Sequence, residues 1–261
     1  MKIHFYKYQG TGNDFILLDN RLNQYQDLTT AQIAFLCNRK FGIGADGLML
    51  MNPSPGLDFE MLYYNADGNQ STMCGNGGRC MVQFAYDLQM HQYTYQFKAV
   101  DGIHQAEIDN NQHIKLKMND VMEVTKHNGH YVLNTGSPHL VLFAHHVADI
   151  DVYETGKEIR NSKSFEAEGI NVNFVETVDD DMIFVRTYER GVEDETLSCG
   201  TGVVACALLN AHNDKGFNRV EVKTLGGLLS VEFSKQSETT YNNIWLCGPA
   251  KFVFSGEMEI S

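Results

Sequence analysis

Two cysteines of this chain stand in the same local setting. Cys74 opens the stretch Cys74-Gly75-Asn76-Gly77-Gly78-Arg79, Cys199 opens Cys199-Gly200-Thr201-Gly202, and behind each the apolar residues recur at three- and four-residue intervals. That spacing predicts helices over residues 75 to about 90 and 200 to about 213, each with a thiol at its entrance. A helix start offers the positive end of its dipole and backbone N–H groups, which stabilise a thiolate and attract an anion. The glycines let a ligand approach the backbone without Cβ obstruction, so each turn can supply both a base and a cradle for a carboxylate. Inverting a stereocentre without a cofactor requires a base on one face of the carbon and an acid on the other, of similar proton affinity because the roles exchange in reverse. Two equivalent cysteines meet that requirement, and their mutual repulsion predicts a pair that titrates as one coupled unit.

The equivalence extends along the chain. Thr11-Gly12-Asn13-Asp14-Phe15 is answered by Thr135-Gly136-Ser137-Pro138-His139 at an offset of 124, and Gly42-Ile43 by Gly169-Ile170 at 127. Tyr64-Asn65 is echoed by Tyr188-Glu189 at 124 and the two cysteines lie 125 apart. Four landmarks in one order at offsets of 124 to 127 indicate two related halves of about 120 residues, meeting near 118–122. The first half, residues 1–118, carries Cys74 and is expected to regain the tail 252–261 as a returning strand; the second, 119–251, carries Cys199. Each half reads as short strands with one strong helix, an α+β pattern of high sheet content. Strands are expected over 3–8, 15–18, 48–51, 59–64, 104–108 and 114–118, then 140–143, 172–175, 182–188, 220–222 and 228–233. A further helix is expected to start at Thr29 or Thr30, whose hydroxyl can cap the following apolar turn.

Beside the predicted strand ends lie Asn13, Asn65, His139, Asn171, Glu189 and Arg190. Singly these suit Asx turns or a surface ion pair. Their recurrence near the cysteines, with Glu189-Arg190 ten residues before Cys199 and Asn65 nine before Cys74, draws them toward a site. The remaining cysteines, 37, 80, 206 and 247, read as small buried hydrophobes.

Composition removes several function classes. A net charge of −13 with no basic cluster argues against nucleic acid as a partner. No apolar run is long enough for a membrane-spanning helix, and the amino terminus alternates like a strand without a signal-peptide pattern, so a cytoplasmic protein is expected. The six cysteines show no Cys-x-x-Cys spacing, so neither disulfides nor zinc are expected. The Gly42–Gly47 loop departs from dinucleotide-binding spacing, and His145-His146 reads as a solvated pair; no metal and no cofactor are expected.

Taken together, Gly12-Asn13-Asp14-Phe15, Gly42-Ile43-Gly44-Ala45-Asp46-Gly47, Asn65-Ala66-Asp67-Gly68, the two cysteine turns, Pro138-His139 and Glu189-Arg190-Gly191 resemble diaminopimelate epimerase, in that family's order and from Gly10 almost to the C-terminus. The resemblance implies an isomerase that interconverts LL- and meso-diaminopimelate in bacterial lysine and peptidoglycan-precursor synthesis, without pyridoxal phosphate or metal. It implies two pseudosymmetric domains, each a mixed sheet curled around a central helix, and suggests a homodimer. Carried over by position, it makes Cys74 and Cys199 the acid/base pair and gives the backbones of Gly75, Asn76, Gly200 and Thr201 to the reacting carboxylate. His139 and Glu189 become assistants of proton transfer. Asn13, Asn65, Asn171 and Arg190 become readers of the distal end, where a forked guanidinium suits a second carboxylate. Two departures bear on substrate affinity: Ser137 stands where many relatives have Asn, and residues 191–198 form an acidic loop one residue longer than the common form. A proline racemase or hydroxyproline epimerase would share the cysteines without the distal readers. A noncatalytic anion binder or a thiol redox switch would share only the cysteine turns.

Overall fold

The computed structural model describes residues 1–260, so Ser261, the last residue of the expected returning strand, lies outside the described residues. The chain divides into two compact units, residues 1–116 with 248–261 and residues 117–247.

In the first unit, β1 (Lys2–Gly10) runs antiparallel to β2 (Asn13–Asp19), which is parallel to β3 (Gly47–Asn52). Next, β4 (Phe59–Asn65) lies antiparallel to β3 and to the short β5 (Gln70–Ser71), and parallel to β6 (Thr94–Ala99). The meander continues through β7 (Gly102–Ile108) and β8 (Ile114–Lys117). Helices α1 (Thr30–Cys37) and α2 (Gly75–Asp87) complete it. Thr29 starts α1 through a reciprocal bond with Gln32, a capping box that contributes about 1 kcal/mol. Strands β2 and β3 are apolar on both faces because they have a helix on each. Ile16, Leu18, Leu48 and Leu50 join Ile33 and Leu36 of α1 in one cluster, while Met49 of the opposite face reaches Gly77 of α2. Residues 75–85 of α2 are all buried, as expected of a helix enclosed by its sheet, and Phe84 packs against Tyr6 at 4.9 Å.

The second unit repeats this order. β9 (Val124–His127) and β10 (His130–Asn134) pair antiparallel, β10 pairs antiparallel with β11 (Pro138–Phe143), and β11 is parallel to β12 (Asn171–Asp179). β13 (Met182–Glu189) is antiparallel to β12 and to β14 (Asp194–Thr196), and parallel to β15 (Gly216–Thr224). β16 (Gly227–Lys235) and β17 (Tyr241–Gly248) follow as antiparallel neighbours. One face packs on α3 (Val152–Arg160) through Leu140, Val172, Phe174 and Tyr188; α4 (Gly200–Leu208) takes the other. Gly156 is required in α3 because a Cβ there would stand 2.3 Å from the Cβ of Tyr188. The last strand, β18 (Lys251–Glu259), pairs antiparallel with β1 over Lys2↔Glu259 to Gln9↔Lys251. Each unit is thus a mixed sheet around a buried helix, an α+β arrangement.

Two helices are shorter than their periodicity suggests. α2 stops at Asp87 because Gln89 adopts φ 71, and α4 stops at Leu208, beyond which the Asn218 side chain captures the backbone N–H of Asn213. The acidic stretch 191–198 is not wholly loop: Asp194–Thr196 is the strand β14.

Candidate active site

Both cysteines occupy the N-cap position. Cys74 (φ −102, ψ 132) and Cys199 (φ −107, ψ 110) are extended, and neither side chain caps its own helix. The first intrahelical bonds are Gly78 N–H to Cys74 O at 2.7 Å and Val203 N–H to Cys199 O at 2.8 Å. The N–H groups of the first turn, those of Gly75 and Asn76 and of Gly200 and Thr201 included, have no acceptor within an α-helix. Each cysteine is thus the residue at which the N–H dipoles of its helix start. Cys74 is half-buried and Cys199 is 7 % exposed. Three of the other thiols are held protonated: burial pushes Cys37 up to about 12 and raises Cys80 and Cys206 well above the ordinary thiol range.

Around Cys74 the polar contacts tie the first turn of α2 to the start of β2. The Asn76 amide donates to Asn13 Oδ1 at 2.6 Å, and Asn13 Nδ2 donates to Asp46 Oδ2 at 3.0 Å. Arg79, fully buried, donates to Asn76 Oδ1, Thr11 Oγ1 and Gly75 O. Asp46 belongs to an ion cluster in which Lys7 and Arg39 hold Asp14. Burial acts to raise the Asp14 carboxyl, and the hydrogen bonds and charges of Arg39 and Lys7 overcome it and bring the group down to about 2. The Asn76 side chain is therefore committed to the protein. Asn65 ends β4 on an exposed turn, its N–H bonded to Asn69 O, outside this cluster.

Around Cys199 the arrangement is denser. The β11–β12 register sets His139 opposite Asn171, and β12–β13 sets Asn173 opposite Thr187, so these side chains share the face toward α4. Asn171 Nδ2 donates to Ser137 Oγ (2.8 Å) and Pro138 O (3.0 Å), and Asn171 Oδ1 accepts the Arg190 N–H (2.9 Å). His139, wholly buried, has Nε2 at 2.9 Å from Thr201 Oγ1 and Nδ1 at 3.1 Å from Asn173 Nδ2. Burial lowers its imidazole to about 3, and the Arg190 charge acts the same way. Thr201 Oγ1 stands 3.6 Å from Cys199 Sγ. Glu189 Oε2 accepts from Thr196 Oγ1 at 2.9 Å, and the exposed Arg190 guanidinium donates to Glu168 O at 2.9 Å.

The structure brings Asn13, Gly75 and Asn76 together with Cys74, and His139, Asn171, Gly200, Thr201 and the Arg190 backbone with Cys199. It adds Thr11, Thr187 and Asn173, which motif reading passed over. The available signal for Asn173 was an amide inside the apolar run Val172-Asn173-Phe174-Val175. The glycines of the two turns serve packing as well as approach: a Cβ on Gly202 would meet Asn173 Oδ1 at 2.4 Å, and one on Gly77 would meet Met49 Sδ at 3.2 Å. Among the described residues no group of three or more His, Cys, Asp or Glu is placed to hold a metal ion, and no helix is long and apolar enough to cross a membrane.

Residues 5–124 and 131–253 match the family described as Diaminopimelate epimerase. The chain is 50% identical over 250 residues to the diaminopimelate epimerase of Flavobacterium psychrophilum, covering 95% of this chain and 97% of that one. It is 41% identical over 262 residues to the diaminopimelate epimerase of Chlorobaculum tepidum, covering 96% and 99%. Among solved structures, a Bacillus anthracis phenazine biosynthesis protein of the PhzF family aligns over 100% of both chains with TM-score 0.73 and 15% identity. A hydroxyproline epimerase from Agrobacterium vitis aligns with TM-score 0.66 and 13% identity over 98% and 92%. These two likenesses concern the fold alone.

Proposed function

Because this chain belongs to the diaminopimelate epimerase family, we propose that it interconverts LL- and meso-diaminopimelate with Cys74 and Cys199 as the acid/base pair. The observation that carries this reading is the equivalent placement of the two thiols, each the extended N-cap residue of a buried helix. In one direction, one cysteine thiolate takes the α-proton, the electron pair left on carbon delocalises into the carboxylate, and the other thiol returns a proton on the opposite face. The first cysteine ends as thiol and the second as thiolate, and the reverse reaction exchanges them. Charge builds on the substrate carboxylate during this step. N–H groups of Gly75, Asn76, Gly200 and Thr201 are suited to receive it, since preorganised donors at a helix start stabilise an anion without reorganising.

His139 and Glu189 belong to the proton-transfer surroundings in this proposal, and Asn13, Asn65, Asn171 and Arg190 to recognition of the distal amino-acid end. For Arg190 the support is chemical, since its planar fork matches a second carboxylate. The same reading takes the enzyme as a homodimer that needs no pyridoxal phosphate, acting in the cytoplasm for lysine and peptidoglycan-precursor synthesis. The family resemblance supports those points.

The test is incubation of purified protein with LL-diaminopimelate in deuterated, metal-free buffer. Meso product carrying α-deuterium is the expected result, with L-proline and hydroxyproline left unchanged. Turnover of the prolines alone would assign the chain a different substrate, and activity lost to a chelator and restored by a metal would overturn the two-thiol mechanism.

A further inference from the structure

The polar groups under Cys199 have a direction. Asn173 Nδ2 lies 3.0 Å from Leu140 O and 3.4 Å from Asn171 O, and carbonyl oxygens can only accept. The amide end facing them is therefore the NH2 group, and that same group faces His139 Nδ1 at 3.1 Å. Nδ1 must present its lone pair, since a proton there would set donor against donor. The single ring proton of the neutral imidazole then sits on Nε2, which donates to Thr201 Oγ1 at 2.9 Å. Ser137 Oγ, 3.1 Å from Nε2 and 3.4 Å from Thr201 Oγ1, already accepts from Asn171 Nδ2 at 2.8 Å, so its own hydrogen is left to face Thr201 Oγ1 and the Thr201 hydrogen to face Cys199 Sγ at 3.6 Å. Thr187 Oγ1 completes the anchoring from behind at 2.9 Å from Asn173 Oδ1.

The first unit carries different residues at three positions of this line. At the positions 124 residues before His139, Asn173 and Thr187 stand Phe15, Met49 and Tyr63. Phe15 and Tyr63 pack edge to face at 6.0 Å, and Met49 occupies the place beside the helix glycine that Asn173 takes in the second unit.

We propose that Asn173 is a positioning residue that fixes His139 as the Nε2–H tautomer and thereby dedicates the Thr201 hydroxyl hydrogen to the Cys199 sulfur. His139 in this arrangement is a fixed donor and not a proton carrier. Cys199 is supported in this arrangement by a directed hydroxyl. The catalytic consequence rests on the proposed role of Cys199 as a reacting thiol; the hydrogen-bond order does not.

Two measurements separate these. Nitrogen-15 NMR of the substrate-free protein, with His139 identified by its contacts to the Asn173 amide and the Thr201 methyl, should show Nδ1 unprotonated and Nε2 protonated. In Asn173→Asp, an acceptor faces Nδ1 and that nitrogen should take up a proton. A wild-type protein already protonated at Nδ1, or an unchanged Nδ1 signal in Asn173→Asp, would overturn the proposal. The second measurement compares Thr201→Val with Thr201→Ser by alkylation of Cys199, located by peptide mass spectrometry, and by steady-state kinetics. Loss of one hydrogen bond to a charged sulfur should slow alkylation and lower kcat about 10- to 100-fold with little change in KM. Thr201→Ser should restore both. Equal defects in Val and Ser, or none in Val, would refute a role for the hydroxyl. Alkylation needs no substrate, so failure of the diaminopimelate reading would leave this result interpretable.

Discussion

Gly77 and Gly202 are repeat-equivalent, yet replacing them with alanine should have opposite consequences. Each lies in the first turn of a buried helix, where alanine gains up to about 1 kcal/mol of helix propensity over glycine. At Gly77 the nearest atoms to a new Cβ are Met49 Sδ at 3.2 Å, Met49 Cε at 3.4 Å and Cys74 Cβ at 3.6 Å. The thioether is flexible and gives way by a few tenths of an ångström, so Gly77→Ala should stay within about 1 kcal/mol of wild type. At Gly202 the Cβ would stand 2.4 Å from Asn173 Oδ1, which must retreat by roughly 1 Å to reach ordinary contact. Asn173 is held by Thr187, Leu140 O and His139, so the retreat strains or breaks two hydrogen bonds of about 1 kcal/mol each, on top of an overpacking cost of about 1–3 kcal/mol. After the helix gain, Gly202→Ala should lose about 2–4 kcal/mol. Urea unfolding of both variants, with midpoint and slope fitted together, reads the difference directly. Equal stability of the two alanine variants would refute the claim that Gly202 is reserved for Asn173.

Replacing one thiol at a time should split the reaction: Cys74→Ala and Cys199→Ala should each lose epimerisation while favouring different stereoisomers in α-proton exchange, or in elimination from a β-halogenated analogue. Near wild-type epimerisation by both folded variants would exclude the two-thiol mechanism. Arg190→Lys keeps the charge and loses the fork, so KM for diaminopimelate should rise while both thiols remain titratable with a disulfide reagent; unchanged kinetic constants would remove Arg190 from substrate recognition. Acid stability should fall in two windows. His139 is held near 3 in the folded chain against about 6.5 unfolded, so the unfolded state binds the extra proton and stability declines from about pH 6.5 downward. Asp14 is depressed to about 2 against about 3.9 unfolded, so its contribution is present above about pH 4 and vanishes as pH falls through 2. Denaturant midpoints against pH should flatten in the upper window for His139→Gln and in the lower for Asp14→Asn; parallel profiles would contradict the assignment.

The repeat and the apolar periodicity were enough to read an α+β chain in two like halves, because short strands and one strong helix recur in the same order, while the mixed sheets were implied by the family resemblance. Of the strands passed over, Thr94–Ala99 alternates cleanly and was legible, whereas others lack such a signature. Tyr241–Gly248 carries Asn242-Asn243 at its start, and Asn243 has φ 50, a left-handed turn inside the strand pattern. Helix α3 was hidden by Gly156, a poor helix former present because Tyr188 packs against its Cα. For the candidate site, residue types beside the cysteines were legible as a set: His139, Asn171, Thr201 and Cys199 belong to one chain of hydrogen bonds. The direction of that chain was not legible, since it depends on which carbonyls face Asn173, and backbone register decides that. Arg79 illustrates the same limit, for nothing in a sequence distinguishes a buried guanidinium that braces Thr11 and Asn76 from an exposed one.

Strand β18 has a consequence for biosynthesis. The first unit carries Cys74, yet its edge strand β1 pairs with Lys251–Glu259, synthesised only after all of the second unit. On the ribosome the second unit is contiguous and can close its sheet while the first waits with the outer hydrogen-bonding row of β1 uncovered, a template for pairing with another nascent chain. The Cys199 half should therefore acquire protease resistance first. Maturation of the Cys74 half should then be the slow step, governed by a closure that spans nearly the whole polypeptide.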